Sequence, residues 1–156
     1  KGKRNSTFTE YYQDGVTPRK ETPMQQGKID GTVKTYFRNG KIEAEKEYKQ
    51  SVESGRERRF DSKTGEQIFE SHYIDGKKDG EEWEIFEDAS TLRSRIIRHY
   101  RNGKLDGSYR VESTRDGKPY ITIEGQYTDG EKSGQWIEHN YDNNTQTCTW
   151  HGEGGA

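Results

Sequence analysis

Cysteine is all but missing from this chain of 156 residues: Cys148 stands alone, which excludes an intramolecular disulfide, a cysteine-rich zinc site and a Cys-x-x-Cys redox pair. Long apolar runs are missing too, and none approaches the roughly 18 residues of a membrane-spanning helix. Nor is there an excess of one charge. The 26 Lys and Arg nearly balance 28 Asp and Glu, for a formal net charge of -2, and a pI near 6.1 supplies no global attraction to nucleic acid. Aliphatic side chains are scarce: two Leu, ten Ile and four Val. Together with the five Phe they make about 13% of the chain, below the roughly 20% at which a sequence begins to read as disordered. What is present argues the other way, because disorder goes with high net charge and few aromatics, and this chain carries 18 aromatic residues. It opens Lys1-Gly2-Lys3-Arg4 with no initiator Met and no visible signal peptide, which suits a processed or a truncated product.

Glycine punctuates the sequence at a near-constant interval. Met24-Gln-Gln-Gly27-Lys-Ile-Asp-Gly31, Tyr48-Lys-Gln-Ser51-Val-Glu-Ser-Gly55, Tyr73-Ile-Asp-Gly76-Lys-Lys-Asp-Gly80, Tyr100-Arg-Asn-Gly103-Lys-Leu-Asp-Gly107 and Tyr127-Thr-Asp-Gly130-Glu-Lys-Ser-Gly134 are five copies of one motif. Self-similarity with a period of about 25 residues is the signature of a repeat architecture. A second turn signal lies halfway through each unit, at Asp14-Gly15, Asn39-Gly40, Lys63-Thr64-Gly65, Asp88-Ala89-Ser90 and Asp116-Gly117. Each unit therefore holds two strand-length segments. Seven Asp-Gly and two Asn-Gly pairs supply the residues that tight hairpins need. The segments between them, such as Thr32–Phe37 and Gln67–Tyr73, are rich in β-branched and aromatic residues and too short for stable helices.

These features predict an all-β fold: an elongated single-layer antiparallel β-meander of about 11 or 12 strands, built from five to six hairpin repeats. The array is expected to fill residues 1–156 as one domain, with units starting near 8, 31, 55, 80, 107 and 134. Thr91 to Tyr100 has Leu92, Ile96 and Tyr100 at a spacing of four, but its place in the repeat makes it a strand. A hairpin turning at Ala89-Ser90 would set Trp83 against Ile96, Glu84 against Arg95 and Glu81 against Arg98.

Repeat-equivalent residues are expected to build the core, namely Tyr48, Tyr73, Tyr100 and Tyr127 and a second row of Val33, Tyr109 and Trp136 after the second glycine. Gly31, Gly40, Gly76, Gly80, Gly103, Gly107, Gly130 and Gly134 read as turn residues. No glycine-rich segment opens a helix as a phosphate-binding loop would. The four histidines, His72, His99, His139 and His151, form no pair at metal-binding helical spacing, and only His151-x-Glu153 beside Cys148 groups potential ligand types. No motif selects a nucleophile, so the expectation is a non-enzyme without catalytic residues, cofactor or metal. Arg56, Arg58 and Arg59, then Glu81 to Asp88, then Arg93, Arg95, Arg98 and Arg101 form charge runs of alternating sign. They read first as solvated, mutually neutralising strand faces, and otherwise as bands that orient a protein partner. Arg58, Glu84, Arg95 and Arg110 are the partner-binding candidates.

The Tyr-x-(Asp/Asn)-Gly-Lys-x-Asp-Gly core, followed by Gly-x-(Trp/Val/Tyr), resembles the bacterial variant of the MORN repeat. The resemblance covers about residues 8 to 150 and is clearest at Gly27 to Gly40, Tyr73 to Phe86, Tyr100 to Tyr109 and Tyr127 to Trp136. Met24 replaces the repeat tyrosine, Ser51 the first glycine, and Glu57 and Glu82 the large residue after the second glycine. Trp83 next to Glu82 suggests a bulge or a local register shift there. The resemblance implies binding rather than catalysis, as in antitoxins of the YwqK type: an immunity protein that covers the active site of a cognate bacterial toxin. The missing Met and mid-repeat start point to the periplasm or cell envelope, with a cytoplasmic location as the other option. The alternative is an envelope scaffold contacting membrane or cell wall. Nucleic acid is not an expected partner, and membrane contact is disfavoured because carboxylates are interleaved with the Arg runs.

Overall fold

The computed structural model describes residues 5–87, 93–115 and 117–152, and every regular element among them is a β-strand. The chain forms two compact units, residues 1–77 and 78–156. The first holds β1 (Asn5–Tyr11), β2 (Pro18–Gln25), β3 (Lys28–Ile29), β4 (Gly31–Tyr36), β5 (Ile42–Lys49), β6 (Val52–Phe60) and β7 (Gln67–Ile74). The two-residue β8 (Lys77–Lys78) lies at the boundary. The second holds β9 (Gly80–Glu87), β10 (Arg93–Arg101), β11 (Lys104–Arg115), β12 (Lys118–Thr128), β13 (Glu131–Asn140) and β14 (Thr145–His151). Within the first unit the order is β1-β2-β4-β5-β6-β7, and within the second β9-β10-β11-β12-β13-β14. Each is an antiparallel meander, as the repeat pattern predicts.

The repeat motif has a hydrogen-bonding explanation. Its first turn is a two-residue hairpin in which both central residues have positive φ, as at Asn102 (50°) and Gly103 (83°). This geometry matches the twist of the flanking strands. Successive turns are then tied together. The amides of Ser51, Gly76, Gly103 and Gly130 donate to the carbonyls of Ile29, Glu53, Lys78 and Leu105 at 2.7–2.9 Å. The aspartate before the second glycine adds a further link: Asp30, Asp79 and Asp106 accept from the amides of Gln50, Asn102 and Asp129. So the first Asp-Gly or Asn-Gly makes a turn, and the second aspartate holds the turn of the next repeat. The second glycine faces the repeat tyrosine across the ladder, in the pairs Gly31–Tyr48, Gly55–Tyr73, Gly80–Tyr100 and Gly107–Tyr127. At Gly107, φ is 116° and an added Cβ would sit 3.2 Å from the Cβ of His99, so no side chain fits without strain.

At the opposite ends of the strands the loops are longer. The 12–17, 37–41 and 61–66 loops close through backbone bonds, and Asp14, Asn39 and Asp61 accept amides two residues ahead. The predicted turn at Asp88-Ala89-Ser90, Asp116, and Thr91 and Leu92 of the next segment lie outside the described residues; the rest of that segment is strand β10.

Two expectations are corrected. The β9–β10 register pairs Trp83 with Ile97, Glu84 with Ile96 and Glu82 with Arg98, one residue away from the predicted alignment. The reason is the burial of Glu82, which has no exposed surface and must face a cation. Along β10 there is also neither a bulge nor a register shift at Glu82 and Trp83, because that ladder runs unbroken from Gly80 to Glu87.

The core mixes polar and apolar side chains. Val33, Phe69, Ile97, Val111 and Trp136 are buried, and so are Thr22, Glu57, Ser71, Glu82, Ser94 and Ser113. Directly paired residues build one packed row per unit: Val33, Lys46, Glu57 and Ser71 in the first, and Glu82, Arg98, Tyr109 and Gly125 in the second. Trp136 then lies over Gly125, where a Cβ would come within 2.3 Å of its ring. Of the predicted core residues, Val33 and Trp136 are buried, while Tyr48, Tyr73, Tyr100, Tyr109 and Tyr127 are partly buried along the same faces.

Candidate functional site

The two buried carboxylates occupy the position where other repeats place Val33, Tyr109 or Trp136, and each is neutralised locally. Glu57 bonds Arg59 at 2.7 Å and Lys46 at 3.1 Å. Burial alone would raise its pKa, but the Arg59 and Lys46 hydrogen bonds bring it below the ordinary carboxylate value. Glu82 is held by Arg98 at 2.7 Å and by Lys78. The two lysines also cover tyrosine rings, Lys46 over Tyr73 at 4.3 Å and Lys78 over Tyr100 at 4.9 Å. Burial, with the Glu57 charge second, pushes the Tyr73 phenol up to about 12. Both clusters therefore place a carboxylate, its cations and a tyrosine ring together on the packed face of a unit.

The opposite face of the first unit carries a different row. Glu21, Lys34, Glu45, Arg58 and Glu70 pair in succession across β2, β4, β5, β6 and β7, so the sign of charge alternates at every strand. Arg58 meets Glu45 at 2.7 Å, and Lys34 lies 3.9 Å from the same carboxylate. Beside this row Arg56 lies 3.9 Å from Glu47.

On the second unit, the face opposite Glu82 is hollowed into a groove of about 830 Å³. Buried Ile97 and half-buried Ile137 form its floor. One wall begins with Glu81, His99 and Ser108 from three adjacent strands. Ser108 Oγ lies 3.0 Å from His99 Nδ1, and His99 Nε2 lies 3.6 Å from Glu81. The β10–β11 register shifts between Arg98 and Tyr100, and such a shift re-aims local side chains. A serine, a histidine and a carboxylate thus align, but the side chains of His99 and Glu81 are 38% and 50% exposed. Transition-state stabilisation by such groups depends on a water-excluded site, and this one is open to solvent. The wall continues through Gln126 and Gln135 to Trp150.

The four candidate contact residues do not share a surface. Arg58 belongs to the alternating row of the first unit. In the second, Arg110 lines the groove with its Nε on Glu112 at 2.9 Å. Arg95 projects on that same side and stacks over Trp83 at 4.4 Å. Glu84 points from the other face, beside Glu82, and bonds Arg98 at 3.1 Å. The eight glycines read as turn residues all have positive φ, but only Gly40, Gly76, Gly103 and Gly130 lie in turns; Gly31, Gly80, Gly107 and Gly134 belong to strands β4, β9, β11 and β13, where they face the packed row. Cys148 is exposed on β14; it and His151, three residues apart on a strand, point to opposite faces. Glu153 lies outside the described residues.

Sequence reasoning missed the groove, although its positions obey the repeat. Glu81, Ser108 and Gln135 directly follow a second glycine, and His99 and Gln126 directly precede a repeat tyrosine. Strand alternation turns all of them away from the packed row. No protein-family model matches the chain, and no curated protein matches it.

Proposed function

We propose that this is a non-enzymatic protein-binding repeat protein, an immunity protein or antitoxin that neutralises a bacterial toxin by seating a sheet face over the toxin's active site. The observation that carries the reading is the row Glu21, Lys34, Glu45, Arg58 and Glu70, a half-buried strip whose charge alternates strand by strand. Such a strip matches a partner of complementary pattern and repels one shifted by a single strand, and in this way charged surfaces confer specificity and on-rate. The likeness of the Tyr-x-(Asp/Asn)-Gly-Lys-x-Asp-Gly units to bacterial MORN repeats points in the same direction, as does the extended surface that repeat arrays offer to partners.

Co-purification from the native host tests the reading. One stoichiometric protein should be recovered, its expression alone should be toxic, and co-expression of this chain should restore growth. Arg58→Glu should weaken the complex by about tenfold or more, or about 1.4 kcal/mol, mainly through slower association in low salt. If no toxic partner is recovered and deletion alters envelope shape instead, the chain is an envelope scaffold.

A further inference from the structure

We infer that the groove of the second unit binds a neutral oligosaccharide, with the Trp150 indole as its stacking platform. The three tryptophans differ sharply in availability. Trp136 is 5% exposed beneath Lys132, and Trp83 is covered by the Arg95 guanidinium. Trp150 is 63% exposed and makes no ring or cation contact with the described residues. A bare indole at the end of a groove is a surface for an apolar ligand face that does not itself need a deep pocket.

The chemistry beside Trp150 narrows the ligand class. Gln135 pairs with Trp150 across the β13–β14 ladder, and Gln126 faces Ser133 on the neighbouring ladder. Neither glutamine side chain bonds to any described residue, so two amides, Gln135 beside the indole and Gln126 one strand further on, line the groove, each with two donors and an acceptor. Further along the wall, Ser108 and His99 provide groups that both donate and accept. A sugar ring presents what this combination recognises: a C–H face for the indole and a rim of hydroxyls, each at once donor and acceptor.

The guanidinium in the groove is already engaged. Arg110 bonds Glu112, while Glu124 and Glu81 lie 3.0 and 3.6 Å from His139 and His99, so an anionic ligand meets carboxylates and no unengaged guanidinium. A peptide strand finds its main-chain partners at a sheet edge, whereas the floor here is side chains on a sheet face. The groove volume of about 830 Å³ falls within the roughly 300–1,000 Å³ of small-ligand sites. This inference is independent of the toxin-binding reading, which rests on the first unit.

The test titrates the full chain with cellotetraose, maltotetraose and chitotetraose, followed by tryptophan fluorescence and calorimetry. At least one should saturate with a Kd between about 10 µM and 1 mM. Trp150→Ala should weaken it at least about tenfold and Gln135→Ala several-fold, with thermal melts near wild type because both side chains are exposed. Failure of all three sugars to bind by about 10 mM, or full affinity in Trp150→Ala, overturns the inference. So does Trp150-dependent binding of tetralysine without sugar binding, which would make the groove a protein-docking site.

Discussion

Glu82 has no exposed surface, yet its carboxylate sits at a position where other repeats bury Val33 or Trp136. The substitution is tolerated because Arg98 lies directly opposite and Lys78 reaches the other oxygen. Removing one partner of a buried pair strands the others without compensation, so Glu82→Ala should destabilise the protein by about 3–5 kcal/mol in urea unfolding. A loss below about 1 kcal/mol would show that water reaches the two cations and that the cluster is no core. Ser71 makes the converse case. It is 1% exposed, and its hydroxyl has no hydrogen-bond partner among the described residues. Deleting an unsatisfied buried hydroxyl removes a desolvation cost, so Ser71→Ala should be neutral or stabilising by up to about 1 kcal/mol. Together the variants distinguish polar groups that hold the sheet from those it merely accommodates.

At the scale of strands and turns, the sequence displayed more of the fold than of the site. Gly76 and Gly103, spaced one repeat apart, mark the hairpins because few other residues adopt positive φ readily, so strand number and direction were legible. The register of β9 and β10 was not. It depends on which side of Glu82 the turn places Arg98, a choice made by burial that turn chemistry alone does not specify. The groove was illegible for a related reason: its residues come from six strands, and although several hold repeat positions their residue types differ, so only their parity is shared. Gly125 was also overlooked, since it lies outside the repeated glycine positions. Its role is space, because Trp136 packs across it and an added Cβ would fall 2.3 Å from the ring. Gly125→Ala should therefore expel the indole from its place beside Tyr109 and Tyr127. The expected cost is about 1–3 kcal/mol, with an increase in tryptophan exposure to acrylamide. Unchanged quenching would mean that the backbone can shift to accommodate the methyl group.

For the molecule as a whole, two leucines and ten isoleucines leave little apolar mass, and ion pairs laid across the strands fill part of the packed faces. Stability should consequently be bounded by pH on both sides. On the acid side, the folded-state pKa of Glu57 lies below its reference value of 4.5. Its contribution is thus present above that value and is lost as pH falls through the folded pKa, when protonation releases Lys46 and Arg59. On the alkaline side, burial raises the phenols of Tyr36 and Tyr73 from 10.0 to about 12, with Glu21 adding to the first and Glu57 to the second. A raised pKa reverses the sign: the contribution is present below 10 and disappears as pH rises toward about 12. Urea unfolding across pH should therefore give a plateau with a fall at each end. Glu57→Gln should lower the plateau and flatten the acid limb, whereas Tyr73→Phe should flatten the alkaline limb and leave the acid limb alone. An acid limb equally steep in Glu57→Gln would assign the loss to other carboxylates and remove Glu57 from the groups that set acid stability.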